Sequence, residues 1–217
     1  MSTATAAVPQ DHSFLWRRLH SLTGIMPIGA FLIQHIYGQV LVLGRDGVTA
    51  YNDHTKFLTS IPFLIAVETA FIFGPIAFHG FYGIWIWLRG NSNVADYPYA
   101  GNWLYFLQRV SGIIAFVYIG YHLFEMRFTG THLVDQPEQA YQKVVDAVAN
   151  PFVAAFYAVG MIAACFHFAY GLWLFCCKWG VTVGERAQKV SGMLCGALGV
   201  ALCGAGLASL LKFMSAH

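Results

Sequence analysis

The sequence predicts an all-α membrane protein with five transmembrane helices, and three observations predict it. Of 217 residues, 58% are hydrophobic and only 10% charged, against roughly 25% charged in an ordinary soluble domain. So few polar side chains cannot cover a solvated globule. The charged residues also divide the chain into five apolar stretches, each of the length, about 20 residues, that crosses a bilayer. Finally, the connections between these stretches are short, which leaves no room for a soluble domain and makes residues 1–217 a single membrane domain. The same composition excludes disorder, and a net charge of +2 spread thinly along the chain excludes a nucleic-acid surface.

The first span, near 22–43, lies between the Arg17-Arg18 pair and Arg45. It is longer than the apolar core of a cleaved signal peptide, about 7–15 residues, and it carries Gln34 and His35, so it reads as a retained helix. The second span, near 61–88, is bounded by Lys56 and Arg89, and the third, near 103–123, by Asp96 and Glu125. The fourth runs near 151–175 between Asp146 and Lys178, and the fifth near 190–211 between Lys189 and Lys212. In the fifth, Gly192 and Gly196 form a GxxxG pair suited to helix packing. The five cysteines, Cys165, Cys176, Cys177, Cys195 and Cys203, have no metal-type spacing and read as packing residues.

Orientation follows from the basic residues flanking the spans. With the N-terminus in the cytoplasm, the inner side holds Arg17, Arg18, Arg89, Arg109, Lys178, Arg186 and Lys189, against Arg45, Lys56, Arg127, Lys143 and Lys212 outside. The acids Asp46, Asp53, Glu125, Asp135, Glu138 and Asp146 fall outside, against Asp11, Asp96 and Glu185 inside.

Four of nine histidines lie within spans, one in each of the first four: His35, His79, His122 and His167. A lone histidine at membrane depth is satisfied by an interhelical hydrogen bond. Four in successive helices call for a shared partner. At about 1.5 Å rise per residue, His35 and His122 sit roughly 8–15 Å below the outer helix ends, and His79 and His167 roughly 15–17 Å from the inner ends. Two layers of two imidazoles result. A haem iron takes an axial imidazole on each face, which leaves no open site and suits electron transfer. The expected arrangement is therefore a bundle of the first four helices around two stacked b haems, with His35 and His122 on the outer iron and His79 and His167 on the inner one.

A macrocycle needs small residues about a turn from its ligands, and Gly38, Gly80, Gly83 and Gly171 stand at such offsets. Its propionates need cationic or hydroxyl partners near the membrane surface. Arg17, Arg18, His20, Ser21, Arg109 and Lys178 supply these on the inner side, or serve as interface anchors. Glu68 is the acidic residue well inside a span. It precedes His79 by 11 residues, close to three whole turns, so on a regular helix both project from one face with Glu68 about 16 Å outward. It is either a proton carrier for quinone chemistry or a carboxylate snorkelling to the outer surface, near Lys56 or His54. His12, His54, His132 and His217 lie in tails or loops and receive no role.

The chain resembles the dihaem cytochrome b membrane subunit of bacterial succinate dehydrogenases and fumarate reductases, of the kind with one five-helix anchor. The likeness runs through Arg17-Arg18-Leu19-His20-Ser21, Phe31-Leu32-Ile33-Gln34-His35, Phe78-His79-Gly80-Phe81-Tyr82-Gly83 and Leu107-Gln108-Arg109-Val110-Ser111-Gly112. It continues through Tyr121-His122-Leu123-Phe124-Glu125, Phe166-His167-Phe168, Gly171-Leu172-Trp173 and Trp179-Gly180-Val181-Thr182. The resemblance implies two b haems on the four matching histidines, with His20, Ser21 and Lys178 near the propionates of the inner one. It implies a multi-pass subunit of the bacterial cytoplasmic membrane. On the cytoplasmic side it would dock a flavoprotein carrying FAD, where succinate and fumarate interconvert, and an iron–sulphur subunit. Electrons would pass from the clusters through both haems to a quinone, menaquinone in such relatives, toward the outer side. One architecture serves both succinate oxidation and fumarate reduction. The rival readings are a cytochrome b subunit of a hydrogenase or formate dehydrogenase, a haem-free anchor, or a transporter using the histidines for protons. The basic inner face favours the first family, and no inverted repeat supports a transporter.

Overall fold

The computed structural model of the chain describes residues 13–90 and 92–216. Asp11, counted above on the inner side, and His12 and His217 lie outside them. Five helical segments are long and apolar enough to cross a membrane: Ser13–Leu43, Leu64–Leu88, Ala100–Phe128, Pro151–Lys178 and Glu185–Met214. No strand occurs among the described residues. The five-span, all-α architecture expected from the sequence is the one observed. Phe81, Val117, Phe124, Ile162 and Val200 are exposed, as the lipid-facing side of such helices requires. The segments outrun the apolar stretches because hydropathy marks the hydrocarbon layer, whereas the backbone hydrogen bonds continue through the basic interface.

The first span comprises α1 (Ser13–Ile25) and α2 (Pro27–Val40), which ends in a single 3-10 turn, Leu41–Leu43. Pro27 has no N–H to donate and its ring crowds the preceding turn. Met26 N still reaches Leu22 O at 2.9 Å, so helical bonding continues up to the junction of α1 and α2.

Two connections hold helices that the sequence reading left as plain connections. One is α3 (Gly47–Thr59), between the first two spans. The second span then consists of α4 (Leu64–Glu68), a π-helical turn at Thr69–Phe73 and α5 (Gly74–Leu88). Pro75 explains the π turn, because it cannot complete the regular bond to the carbonyl four residues earlier. One extra residue in a turn changes the phase by about 100°. The counting that placed Glu68 and His79 on one face therefore fails for this helix, although both border the same cavity.

The third span is α6 (Ala100–Phe128), and the other unexpected helix is α7 (Ala140–Val148). Asn52 ties α3 to the second connection, its Nδ2 donating to Glu138 O at 2.6 Å and its Oδ1 accepting from Tyr141 N at 2.8 Å. Tyr51 and Tyr141 both pack on Phe213, with ring centroids 5.3 and 5.5 Å away. Val42, Val145 and Val148 belong to the same buried cluster. Lys143 is buried and donates to Thr129 O (2.7 Å) and Thr131 O (2.5 Å), just beyond the end of α6. A cation there complements the helix carbonyls. Burial lowers the Lys143 pKa, and Glu125 opposes the shift.

Tyr51 gives this cluster a pH dependence. Its hydroxyl donates to Gln39 Oε1 at 3.3 Å, and burial pushes its pKa from 10.0 up to about 12. A raised phenol pKa means the folded state prefers the neutral form, so the contribution is whole below pH 10.0 and is lost as the pH rises toward 12. Thermal midpoints are expected to fall through that window, and to fall less steeply in Tyr51→Phe.

The last two spans are α8 (Pro151–Lys178) and α9 (Glu185–Met214), packed along each other. The glycines in their interface are Gly192, Gly199 and Gly206, seven residues apart. A Cβ on Gly199 would lie 2.6 Å from Ala169 Cβ, and one on Gly206 would collide with Met161 Sδ, whereas Gly196 faces open space. The packing face thus follows a seven-residue period, and the Gly192–Gly196 pair read from the sequence does not form it.

Candidate functional site

One continuous cavity of about 1180 Å³ runs through the bundle, and all four intramembrane histidines border it. It exceeds the roughly 300–1,000 Å³ of a typical small-ligand pocket. The first four spans supply most of its wall, and Gly206, Ser209, Leu210 and Phe213 of α9 close one end.

At the level expected to be the inner one, His79 of α5 and His167 of α8 face each other with ring centroids 6.0 Å apart, at 86°. The two are seated alike. His79 Nδ1 lies 2.9 Å from His20 O, and His167 Nδ1 lies 2.9 Å from Gln108 O. A carbonyl only accepts, so each Nδ1 carries the proton and each Nε2 keeps its lone pair. Four residues after each carbonyl stands a glycine against the ring. A Cβ on Gly24 would lie 2.5 Å from His79 Cε1, and one on Gly112 would lie 2.7 Å from His167 Cε1. Three residues after it, a hydroxyl donates back to the same carbonyl, Thr23 Oγ1 at 3.0 Å and Ser111 Oγ at 3.1 Å. His20-Ser21-Leu22-Thr23-Gly24 and Gln108-Arg109-Val110-Ser111-Gly112 are therefore two copies of one seat. The glycines that receive the rings belong to the neighbouring helices. Those expected on the ligands' own helices, Gly38, Gly80, Gly83 and Gly171, all border the cavity but meet other side chains: His54, Phe116, His20 and Gln108.

His20 stacks on His79 at 4.1 Å and 8°. Arg17, Ser21, Arg109 and Lys178 border the same end of the cavity. Ser21 Oγ accepts from Trp179 Nε1 at 3.2 Å, and Arg18 lies over the Trp179 ring at 4.9 Å. One Arg109 guanidinium nitrogen donates to Trp87 O (2.5 Å) and Gly90 O (3.3 Å), closing the end of α5. Its Nε, with Gln108 Oε1 and Tyr82 Oη, is buried without a hydrogen-bond partner among the described residues. Buried polar atoms are rarely left so, and of these residues Gln108 and Arg109 border the cavity.

At the level expected to be the outer one, His35 of α2 and His122 of α6 face each other at 5.7 Å and 69°. His122 Nδ1 lies 3.4 Å from Tyr157 Oη. Glu68 forms an ion pair with Arg127 at 2.6 Å, both partly buried, and both border the cavity. The alternative partners read from the sequence, Lys56 and His54, are not its partners. His54, which received no role, lies on the cavity wall with its Nε2 3.2 Å from Gln34 Nε2.

No group of three or more His, Cys, Asp or Glu side chains suited to a metal ion occurs among the described residues. Two facing imidazoles cannot alone complete the four to six ligands of a bare ion. They suit a metal that brings its equatorial ligands with it, and a metal–imidazole bond of about 2 Å on each side requires ring centroids about 6 Å apart. The unpartnered polar atoms and the glycine seats agree with such a group, so the residues fit a b-type haem at each level.

A family model described as succinate dehydrogenase/fumarate reductase transmembrane subunit matches residues 93–206. Over 204 residues, 94% of this chain and 98% of the relative, the sequence is 36% identical to the succinate dehydrogenase cytochrome b558 subunit of Bacillus subtilis (strain 168). The chain belongs to the succinate dehydrogenase/fumarate reductase transmembrane subunit family. Membership disfavours the hydrogenase, formate dehydrogenase and transporter readings. The part matched by the family model holds His122 and His167 with the second seat, while the relative's alignment spans nearly the whole chain.

Proposed function

We infer that this chain is the membrane-anchor cytochrome b subunit of a succinate dehydrogenase, and we propose that it carries two b haems, the inner on His79 and His167 and the outer on His35 and His122. The observation that carries this reading is the pair of facing imidazoles at each of two levels of one cavity. Bound there, the haems supply one-electron transfer between the two sides of the membrane. The chain's own part is to orient the rings. The carbonyls of His20 and Gln108 hold His79 and His167 in the tautomer that presents Nε2, and donation to a carbonyl raises the basicity of a ligating imidazole. Arg17, His20, Ser21, Arg109 and Lys178 are the partners for the inner propionates.

The N-terminus lies in the cytoplasm of a bacterium, with the inner face formed by Arg17, Arg18, Arg89, Lys178, Arg186 and Lys189. There the chain docks an iron–sulphur subunit and a flavoprotein carrying FAD, which holds the dicarboxylate active site. A quinone, menaquinone by family resemblance, is reduced near the outer level. Reductive titration of the purified complex, with haem stoichiometry on the same sample, tests the reading. Two low-spin b haems per chain, both reducible by succinate, are expected; one or none would refute the two-haem assignment.

Glu68 is proposed to exchange protons with the quinone, with Arg127 setting its position. Glu68→Gln keeps the shape and removes the titrating group. The expected result is an unchanged haem spectrum with quinone turnover reduced about 100-fold or more, the scale of a lost general acid–base group. Normal turnover with a normal spectrum would leave Glu68 a structural partner of Arg127.

A further inference from the structure

The inner level holds a third imidazole besides its facing pair, and the outer level repeats the arrangement. A Cβ on Gly83, four residues after His79, would lie 3.1 Å from His20 Nε2. A Cβ on Gly38, three residues after His35, would lie 2.8 Å from His54 Nε2. In each level a histidine from another helix thus occupies a glycine notch one turn beyond one member of the pair, and both His20 and His54 border the cavity. His20 comes from α1, within the first span, whereas His54 comes from α3, the helix that covers the outer side.

We propose that His54 is a positioning residue for the outer haem, donating a hydrogen bond to a carboxylate on that group's outer edge. This rests on the two-haem reading above. The orientation of the ring follows from its partner. Gln34 Nε2 can only donate, so at 3.2 Å it makes His54 Nε2 the acceptor and leaves the proton of the neutral ring on Nδ1. That Nδ1–H has no hydrogen-bond acceptor among the described residues, and the edge of the ring is fixed by Gly38 and by Tyr37, 5.9 Å away. Two basic side chains of this region are engaged, while His132 also borders the cavity. Arg127 is paired with Glu68 at 2.6 Å, and Lys143 is spent on the carbonyls of Thr129 and Thr131. A carboxylate arriving at this end therefore meets His54 as a half-buried donor already held in place.

Losing the donor leaves the carboxylate's charge uncompensated beside the iron and favours the oxidised state. In the purified complex, His54→Leu is expected to shift the outer haem's reduction equilibrium about tenfold toward the oxidised form, or about 59 mV for a one-electron couple. The inner haem should be unaffected and serves as the internal reference. His54→Gln, which retains an N–H donor, is expected to stay within about threefold of the parent. If His54→Leu does not assemble, His54→Asn, polar but too short to reach, should reproduce the shift.

Unchanged equilibria at both haems in a two-haem His54→Leu complex would overturn the proposal. So would a shift confined to the inner haem, or a changed KM for quinone with both haems unmoved, which would make His54 a quinone contact. Finding one haem in the parent complex would instead refute the two-haem reading on which the proposal stands.

Discussion

His167→Leu is expected to lower the haem content of the purified complex from two per chain to one and to spare the outer centre. Leucine fills comparable space on α8, so the helix has no reason to move. What disappears is an imidazole whose ring centroid lies 6.0 Å from that of His79, with its free Nε2 and its Nδ1–H held by Gln108 O at 2.9 Å. An iron with one protein ligand and an open face is no longer a low-spin, bis-imidazole electron carrier. With the inner level between the cytoplasmic partners and the quinone, as proposed above, succinate-driven quinone reduction should fall by at least about 100-fold, beyond the 10–100-fold typical of a lost outer-shell partner. Succinate-driven dye reduction by the partner subunits should continue, because on the proposed function the dicarboxylate site belongs to them. Retention of both haems would show that His167 serves helix packing and would force a different partner on His79.

That His35 lies beside His122 and His79 beside His167 was legible in the sequence for a physical reason. Depth in a membrane helix is proportional to distance from the charged residues at its ends, so counting from Arg45, Arg89, Arg127 and Lys178 sorts the four imidazoles into two levels. Rotation about the helix axis is less legible. It depends on a regular repeat, and the π turn ahead of Pro75 removes that regularity between Glu68 and His79. The partner of Glu68 was hidden for a related reason. Arg127 appears at the end of a hydropathy stretch as one more boundary charge, and only the packing of the second span on the third brings it to 2.6 Å. Helices α3 and α7 were missed because interfacial helices carry too many polar residues to register as spans. His54 was missed with them.

The repeated seat was in plain view and was read only as part of a family likeness. His20-Ser21-Leu22-Thr23-Gly24 and Gln108-Arg109-Val110-Ser111-Gly112 share only a hydroxyl and a glycine at matching positions. Their equivalence lies in the backbone carbonyl that each offers to an imidazole from another helix, and no side-chain pattern reports a carbonyl's partner.

Gly112→Val is accordingly expected to remove the inner haem while leaving the outer one in place. Even the first carbon of a side chain at 112 would lie 2.7 Å from His167 Cε1 and 3.0 Å from Nδ1, closer than side chains pack. The imidazole cannot yield by sliding along α6 without breaking its bond to Gln108 O, because carbonyl and glycine sit on one turn of the same helix. Overpacking of this kind costs about 1–3 kcal/mol where the structure can relax, and here relaxation moves the ligand nitrogen itself. Gly24→Val should act in the same way on His79, where the first carbon would lie 2.5 Å from the ring. Gly120→Val, on the same helix as Gly112 but with nothing within 4 Å of its Cβ, should leave both haems and the redox titration unchanged. Haem content in the three variants thus separates a steric seat from a general intolerance of β-branched residues in these helices. If Gly112→Val retained both haems with unaltered potentials, the His167 ring would have to reach its place without that seat, and the carbonyl of Gln108 would be the only feature of the repeat left to orient it.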